Sequence, residues 1–414
     1  MKKKIGVIGS GIVGLCTAIE LVERGYNVSI FDANEPGSQT SYGNAGVITD
    51  SSLIIINNPK LLKSLFSLIF KKNNSFRYSK LFVITSFFWV IRFLMFCNQK
   101  HMEASARAYK ELQTLSLKAH NELIKKSLSN DLILKPGWLK LFESDTSFQN
   151  YSSEIDVLNK NSVDYTVLNT SQIIEKFPQL KLKFAKGVLF KNSIRVNSPL
   201  KLSKNYFDYF LRKKGCYIND NCKSLVYKNN KWQFSTSKNK HYEFDDVVVA
   251  TGPWSKKFLS NLGYNIPLAW ERGYHHHYST KEKISITPVI HDVEGGFVYS
   301  SHGNEIRITS GVELNFFEAP SDENQIKEVI KKMFNILPLK DKLTPKAWLG
   351  ARPTLIDSMP MIGKAPKHNN LWFNFGHNHI GLSTSAGSAK ILVNMLEGKQ
   401  NSINTDPYSP SRFN

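Results

Sequence analysis

The chain has 414 residues, 41% of them hydrophobic and 12% aromatic. That is enough for one large core or two domains sharing an interface, and too apolar for a disordered chain. The formal charge is +20, from 54 Lys and Arg against 34 Asp and Glu, but the basic residues are spread throughout and no nucleic-acid motif accompanies them, so no nucleic-acid partner is expected. Cys16, Cys97, Cys216 and Cys222 form no CxxC pair, which points away from a disulfide framework and towards a reducing, cytoplasmic setting.

The chain opens with a short apolar run, Lys4 to Ile8, broken at once by Gly9-Ser10-Gly11. It lacks the longer apolar region and cleavage site of a signal peptide, so a buried strand is predicted. A helix from about Val13 to Arg24 follows, closed by Gly25, and a second strand runs from Asn27 to Phe31 and ends at Asp32. Strand, helix and strand in this order imply a parallel sheet with a right-handed crossover. Residues 50–130 read as helical. Leu139–Phe142 reads as a strand, 154–177 as helix with connecting segments, Gly187–Phe190 as a strand and Ser198–Lys213 as a helix. Short strands are expected at Cys216–Ile218, Ser224–Lys228, Trp232–Ser235 and Phe244–Ala250. The alternation over 266–315 predicts further strands, and Asp322–Phe334 a helix. Leu371–Phe375 is the last strand, before a Gly- and Ser-rich loop and a helix to Leu396. The tail beyond Lys399 carries little signal.

Three segments carry chemistry. The first is Gly9-Ser10-Gly11-Ile12-Val13-Gly14, a G-x-G-x-x-G turn between a strand and a helix, with Asp32 at the end of the next strand. Gly9 suits the tight turn, Gly11 the approach of backbone N–H groups to a pyrophosphate, and Gly14 close packing of helix on strand. The helix start favours phosphate, and Asp32, with Ala33 beside it, suits ribose hydroxyls. This fingerprint does not distinguish NAD from FAD. The second is Thr40-Ser41-Tyr42-Gly43-Asn44-Ala45-Gly46-Val47, whose small residues let the backbone run close to a flat ligand. The third is Trp348-Leu349-Gly350-Ala351-Arg352-Pro353-Thr354-Leu355-Ile356-Asp357-Ser358-Met359-Pro360-Met361-Ile362-Gly363, followed by Gly376-His377-Asn378-His379-Ile380-Gly381-Leu382.

Together with Ala250-Thr251-Gly252-Pro253-Trp254-Ser255, these segments resemble the FAD-dependent D-amino-acid dehydrogenase and glycine oxidase (DAO) family, in order and spacing from residue 4 to 398. The resemblance implies an α/β fold. A Rossmann-like FAD-binding domain would span 1–80, 186–255 and 345–414, and an α+β substrate domain on a mainly antiparallel sheet would span 81–185 and 256–344. It implies FAD at Gly9 to Gly14, Asp32, Ala33, Thr40, Ser41, Asn44 to Val47, Ala250, Thr251, Gly252, Trp254 and Gly350. Ile380, Gly381, Leu382 and Ser383 would lie at the flavin. Arg352 becomes the partner of a substrate carboxylate, which a guanidinium holds bidentately. Tyr274 and His276 would share the pocket face of a strand, and His379 stands in the loop by the flavin. The histidine run at 275–277 is a poor chelator, because adjacent strand residues point to opposite faces; no metal is expected.

There are departures. Many relatives carry Gly where Ser358 stands, and glycine oxidases tend to carry Arg near the place of His379. Monomeric sarcosine oxidases attach flavin through a cysteine near the third segment; here none follows Cys222, so non-covalent FAD is expected. The implied reaction is oxidative deamination of a small D- or proline-like amino acid by hydride transfer to the flavin, with electrons passed to a quinone or carrier. Rival readings are a soluble oxidase of glycine, sarcosine or a D-amino acid using O2, a non-catalytic flavoprotein subunit, an NAD dehydrogenase and an integral membrane protein. Leu81 to Cys97 is short for a span and contains Arg92. Flanked by Lys60, Lys63, Lys71, Lys72, Arg77 and Lys80, the apolar region suits packing in the substrate domain or a peripheral contact with the inner face of the cytoplasmic membrane.

Overall fold

The computed structural model describes residues 2–62, 76–281, 284, 286–302 and 304–413. Lys63, Lys71 and Lys72 lie outside the described residues.

Among the described residues the strands form four sheets. The first has six strands in the order Cys216–Asn219, Asn27–Asp32, Lys4–Ile8, Asp246–Val249, Leu371–Phe375 and Met361–Lys364. All neighbours are parallel except the last pair. Its central strands are buried on both faces, which is why they read as continuous apolar runs rather than alternating ones. The helices Ile12–Glu23 and Gly381–Leu396 pack against each other in one core cluster, and Gln99–Lys126 lies on the second of them. Small residues make this possible. A Cβ on Gly387 would stand 2.8 Å from the Leu112 carbonyl oxygen.

The large sheet has eleven strands and is mainly antiparallel. Its axis is the strand Leu268–Thr280, which pairs with Trp348–Leu355 on one edge and with Glu305–Thr309 and Val312–Asn315 on the other. From Glu305–Thr309 the order continues through Phe297–His302, Val289–Asp292 and Trp138–Phe142 to Lys186–Phe190 and Tyr165–Asn169. The helix Asn324–Ile336 covers its far face through Ile326, Val329 and Met333. The fold is thus a Rossmann-like nucleotide domain joined to an α+β domain.

Several expectations are corrected. Residues 165–169, expected within a helical stretch, form a strand, and Phe76–Tyr78 is a strand within the stretch expected to be helical. The expected strand 244–250 is two, His241–Phe244 and Asp246–Val249, which enter different sheets; the Asp245 carboxylate between them accepts the Lys4 N–H at 2.7 Å. Phe76–Tyr78, Lys186–Phe190 and Trp348–Leu355 fall within the spans expected for the nucleotide domain, but all pair into the large sheet. The helix Gln99–Lys126, assigned to the substrate domain, shares a core with the nucleotide domain. Leu81 to Cys97 is broken at Ser86 into the helices Lys80–Thr85 and Phe87–Met95, and no described helix is long and apolar enough to cross a membrane. The tail is also anchored. Tyr408 is buried and donates to the Ala108 carbonyl at 2.6 Å, while Arg412 forms an ion pair with Asp357 at 2.7 Å.

Candidate active site

A cavity of about 1170 Å3 is lined both by the glycine turn of the first sheet and by the floor of the large sheet. At one end, strand Lys4–Ile8 delivers Gly9 with φ +107°, a left-handed conformation that suits glycine, and a Cβ there would stand 2.5 Å from the Ala250 carbonyl oxygen. Gly14 packs directly on the Gly9 carbonyl, with no room for a side chain. Gly9, Gly11, Ile12 and Val13 line the cavity, as do Asp32, Thr40 and Ser41. Ser10 does not: it is fully buried, and its N–H and hydroxyl both donate to one Asp32 oxygen, at 2.8 and 2.9 Å. Ser10 therefore aims the carboxylate rather than meeting a ligand. Ala33, Gly14 and Gly46 also stand outside the lining.

The middle of the cavity is walled by Asn44, Ala45 and Val47 on one side and by Ala250, Thr251, Gly252 and Trp254 on another. Trp348 lies over Gly43 and Gly350, neither of which has space for a Cβ beside its ring. Ile380 to Ser383 enter at the start of the helix Gly381–Leu396, whose first turn has no side-chain cap. Backbone N–H groups there supply partial positive charge. His377 is buried and fully occupied, bonded to Thr384 Oγ1 at 2.9 Å and Asn374 Oδ1 at 3.0 Å; burial pushes it down to about 3.

The large sheet supplies the other end. Arg352 reaches over Gly273, where a Cβ would come within 2.5 Å of its guanidinium. The guanidinium donates to the Gly311 carbonyl at 3.4 Å. Glu271 stands directly across the strand pair from it. Burial raises the Glu271 carboxyl to about 7, against the Thr354 hydroxyl and the Arg352 charge, which pull it down, and Glu271 Oε2 has no hydrogen-bond partner. Burial also lowers the Arg352 pKa, opposed by Glu271. His379 opens onto the cavity and is pushed down to about 4 by burial and by the charges of Arg352 and Lys140. His291 is pushed down to about 3 by burial, Lys140 and His379. Both imidazoles are neutral at physiological pH.

Tyr274 and His276 are corrections: neither lines the cavity. Tyr274 Oη donates to Glu313 at 2.6 Å on the opposite face, where Tyr274 packs in the cluster that includes Val329 and Met333. His276 is bonded to Thr344 at 2.9 Å. The pairing of Gly273 with Gly350 and of His275 with Trp348 puts the odd-numbered positions on the Arg352 face. A shift of one residue exchanges the faces of a strand, and three successive histidines give no clue to the parity. His275 instead stacks on Trp348, with ring centroids 4.8 Å apart and planes 20° apart. Sequence reasoning also missed Lys140, His291 and Trp138. The alternation in Trp138-Leu139-Lys140-Leu141 and Val289-Ile290-His291-Asp292 set a polar or amphipathic side chain between apolar ones, but not which cavity it faced.

Residues 4–395 match the family described as FAD dependent oxidoreductase. The chain is 26% identical to a D-amino-acid oxidase of Bradyrhizobium diazoefficiens and 23% identical to a D-amino acid dehydrogenase of Neisseria meningitidis, covering 99% of both chains in each comparison. Among solved structures it is similar to a glycine oxidase of Geobacillus kaustophilus, with TM-score 0.75, 15% identity and 99% of both chains covered. It is also similar to an L-proline dehydrogenase of P. horikoshii, with TM-score 0.76, 17% identity and coverage of 100% of this chain and 98% of the other.

Proposed function

Because the chain belongs to the FAD-dependent oxidoreductase (DAO) family, we propose that it oxidises the Cα–N bond of a small amino acid, of the D series or proline-like. The observation that carries this reading is Arg352. It is a guanidinium in the cavity wall whose one hydrogen bond among the described residues is a long one to a carbonyl, with its other donors available to a carboxylate. FAD, when bound, supplies the acceptor for the α-hydrogen and two electrons. The chain's own residues fit that cofactor. The bare backbone at Gly9 and Gly11 and the start of the helix Ile12–Glu23 would take the pyrophosphate, and Asp32 the ribose. Ile380 to Ser383 would offer N–H groups to the flavin's electron-rich end. No cysteine follows Cys222, so non-covalent attachment is expected.

Arg352 would fix the carboxylate and thereby the direction of the Cα–H bond; orientation of this kind is a large part of the rate. Glu271 stands across the strand pair from the arginine, its carboxyl pushed towards the protonated form by burial, and neutral His379 and His291 add polarity without a competing positive charge. Loss of the α-hydrogen as hydride and of the amine proton leaves an imino acid. Water converts it to a 2-oxo acid and ammonia, unless it is cyclic.

For the acceptor we favour a membrane quinone or a carrier over O2. Leu81, Ile84, Phe87, Phe88, Ile91 and Met95 are all exposed on two consecutive helices, with Ile84 at 72% and Phe88 at 83%. No Asp or Glu occurs from Ser51 to Met102, whereas Lys60, Arg77, Lys80, Arg92 and Lys100 do. An apolar face with basic surroundings suits an anionic bilayer. The deciding experiment is anaerobic bleaching of the bound flavin by D- and L-amino acids, prolines, sarcosine and glycine. Rates of H2O2 formation and quinone-analogue reduction are then compared for the best substrate. No bleaching by any of them would end the catalytic reading, and peroxide formed as fast as quinone is reduced would end the acceptor reading.

A further inference from the structure

We propose that Lys140 is a second anion-binding residue of the substrate site, so that the enzyme prefers amino acids whose side chain carries a carboxylate. This rests on the reading that Arg352 holds the α-carboxylate. Lys140 stands on the strand Trp138–Phe142 in register with His291 on the parallel strand Val289–Asp292, and both line the same cavity as Arg352. Its ammonium donates to Tyr151 Oη at 2.9 Å and lies 5.3, 4.8 and 5.8 Å from the ring centroids of Trp138, Tyr151 and Phe190. Aromatic faces hold a cation in place but leave its charge uncompensated.

Among the described residues Lys140 has no carboxylate within ion-pair distance. Glu154, which also lines the cavity, is taken up by Lys60 and by the Ser153 hydroxyl. His291 and His379 both feel the Lys140 charge and are neutral beside it, so each is able to donate one N–H to an anion. Arg352 and Lys140 stand on opposite flanks of the floor. The strands Leu268–Thr280, Glu305–Thr309, Phe297–His302 and Val289–Asp292 lie between theirs, and both charges act on His379. A monocarboxylate answers one of these cations. A dicarboxylic amino acid of the right length answers both, and its uncharged analogue leaves Lys140 without a partner.

The test uses the flavin-loaded enzyme. Anaerobic flavin bleaching and steady-state dye reduction are measured with both enantiomers of aspartate, glutamate and 2-aminoadipate, against asparagine, glutamine and norleucine. At least one diacid is expected to exceed its uncharged counterpart in kcat/KM by tenfold or more, with the best chain length reporting the reach between the cations. Glutarate is expected to compete more strongly than butyrate. Both measurements need only the wild-type chain. In Lys140→Met the acid-to-uncharged ratio is expected to fall at least tenfold, and Lys140→Arg is expected to restore most of it. A wild-type ratio near one across the series, or an unchanged ratio in flavin-loaded Lys140→Met, would mean that the aromatic cage is structural and the inference wrong. Bleaching by uncharged amino acids alone overturns this inference and leaves the proposed function standing; bleaching by none overturns both.

Discussion

The two ends of the cavity are built by different means. At the glycine turn the wall is backbone, contiguous in sequence, and set by the absence of side chains: Gly9 and Gly14 have no space for a Cβ. At the floor of the large sheet the wall is the side chains of Trp138, Lys140, His291, Arg352 and His379, brought from four separate segments of the chain, with the charges of Lys140 and Arg352 held in partly buried positions. Steric constraint dominates the first end and electrostatics the second. Substitutions at the two ends should therefore fail differently, the first through loss of flavin and stability, the second through loss of turnover with flavin in place.

The largest effect is expected at Arg352. Arg352→Leu removes the forked partner of a desolvated carboxylate, an interaction worth roughly 3–5 kcal/mol, so kcat/KM should fall by about 150- to 5,000-fold. The absorbance of bound flavin should be unchanged. A variant that loses its flavin instead would erase the distinction between the two ends.

Gly14→Val tests the opposite end. The new side chain meets the Gly9 carbonyl, which has no freedom to move aside, and overpacking of this kind costs about 1–3 kcal/mol. Less flavin per protein and a lower Tm are expected. Titration with added FAD should restore turnover with the KM for amino acid little changed. Normal flavin content would show that the turn tolerates bulk.

A pH effect is expected from Glu271. Its carboxyl is raised to about 7 in the folded chain from an ordinary 4.5, so the folded state keeps its proton where the unfolded state has lost it. Stability from this group is fully present below about pH 4.5 and declines as pH rises to about 7. The loss is on the order of 3 kcal/mol. Glu271→Gln should remove that decline, so its Tm should gain on the wild type between pH 5 and 8. Parallel Tm profiles would show that Glu271 is ionised throughout.

The smallest effect lies outside both ends. Phe88→Ser with Ile84→Ser should weaken binding to anionic vesicles several-fold, by about 1–2 kcal/mol in total, while reduction of a soluble dye proceeds as before. Equal vesicle binding by wild type and variant would remove the membrane contact from the proposal.

Legibility followed the same division. The turn Gly9 to Gly14 was readable because its requirements are local: backbone space and a helix start are properties of neighbouring residues. Arg352 was readable only through the pattern around it, and Gly273, which makes room for it, was not. Tyr274 and His276 lie on the face opposite to the expected one, since strand parity depends on which partner strand docks and in what register. Lys140 and His291 were invisible as a pair because two neighbouring strands far apart in sequence set them side by side. The helix Gln99–Lys126 was recognisable as a helix, but its place under the nucleotide domain depends on the small face of Gly381–Leu396 that it meets.

By itself the sequence determined the glycine turn with its acidic strand end, the strand–helix–strand start of a parallel sheet, the family and, through it, the cofactor. Each rests on spacing within a few residues, where covalent geometry leaves few alternatives. The tertiary structure decided which face of the long strand Leu268–Thr280 meets the cavity, which domain the strands at 186–190 and 348–355 join, and that Arg352, His379, His291 and Lys140 share one chamber. Those outcomes depend on register and packing between segments hundreds of residues apart. Their energies come from burying whole faces together, and no local pattern records them.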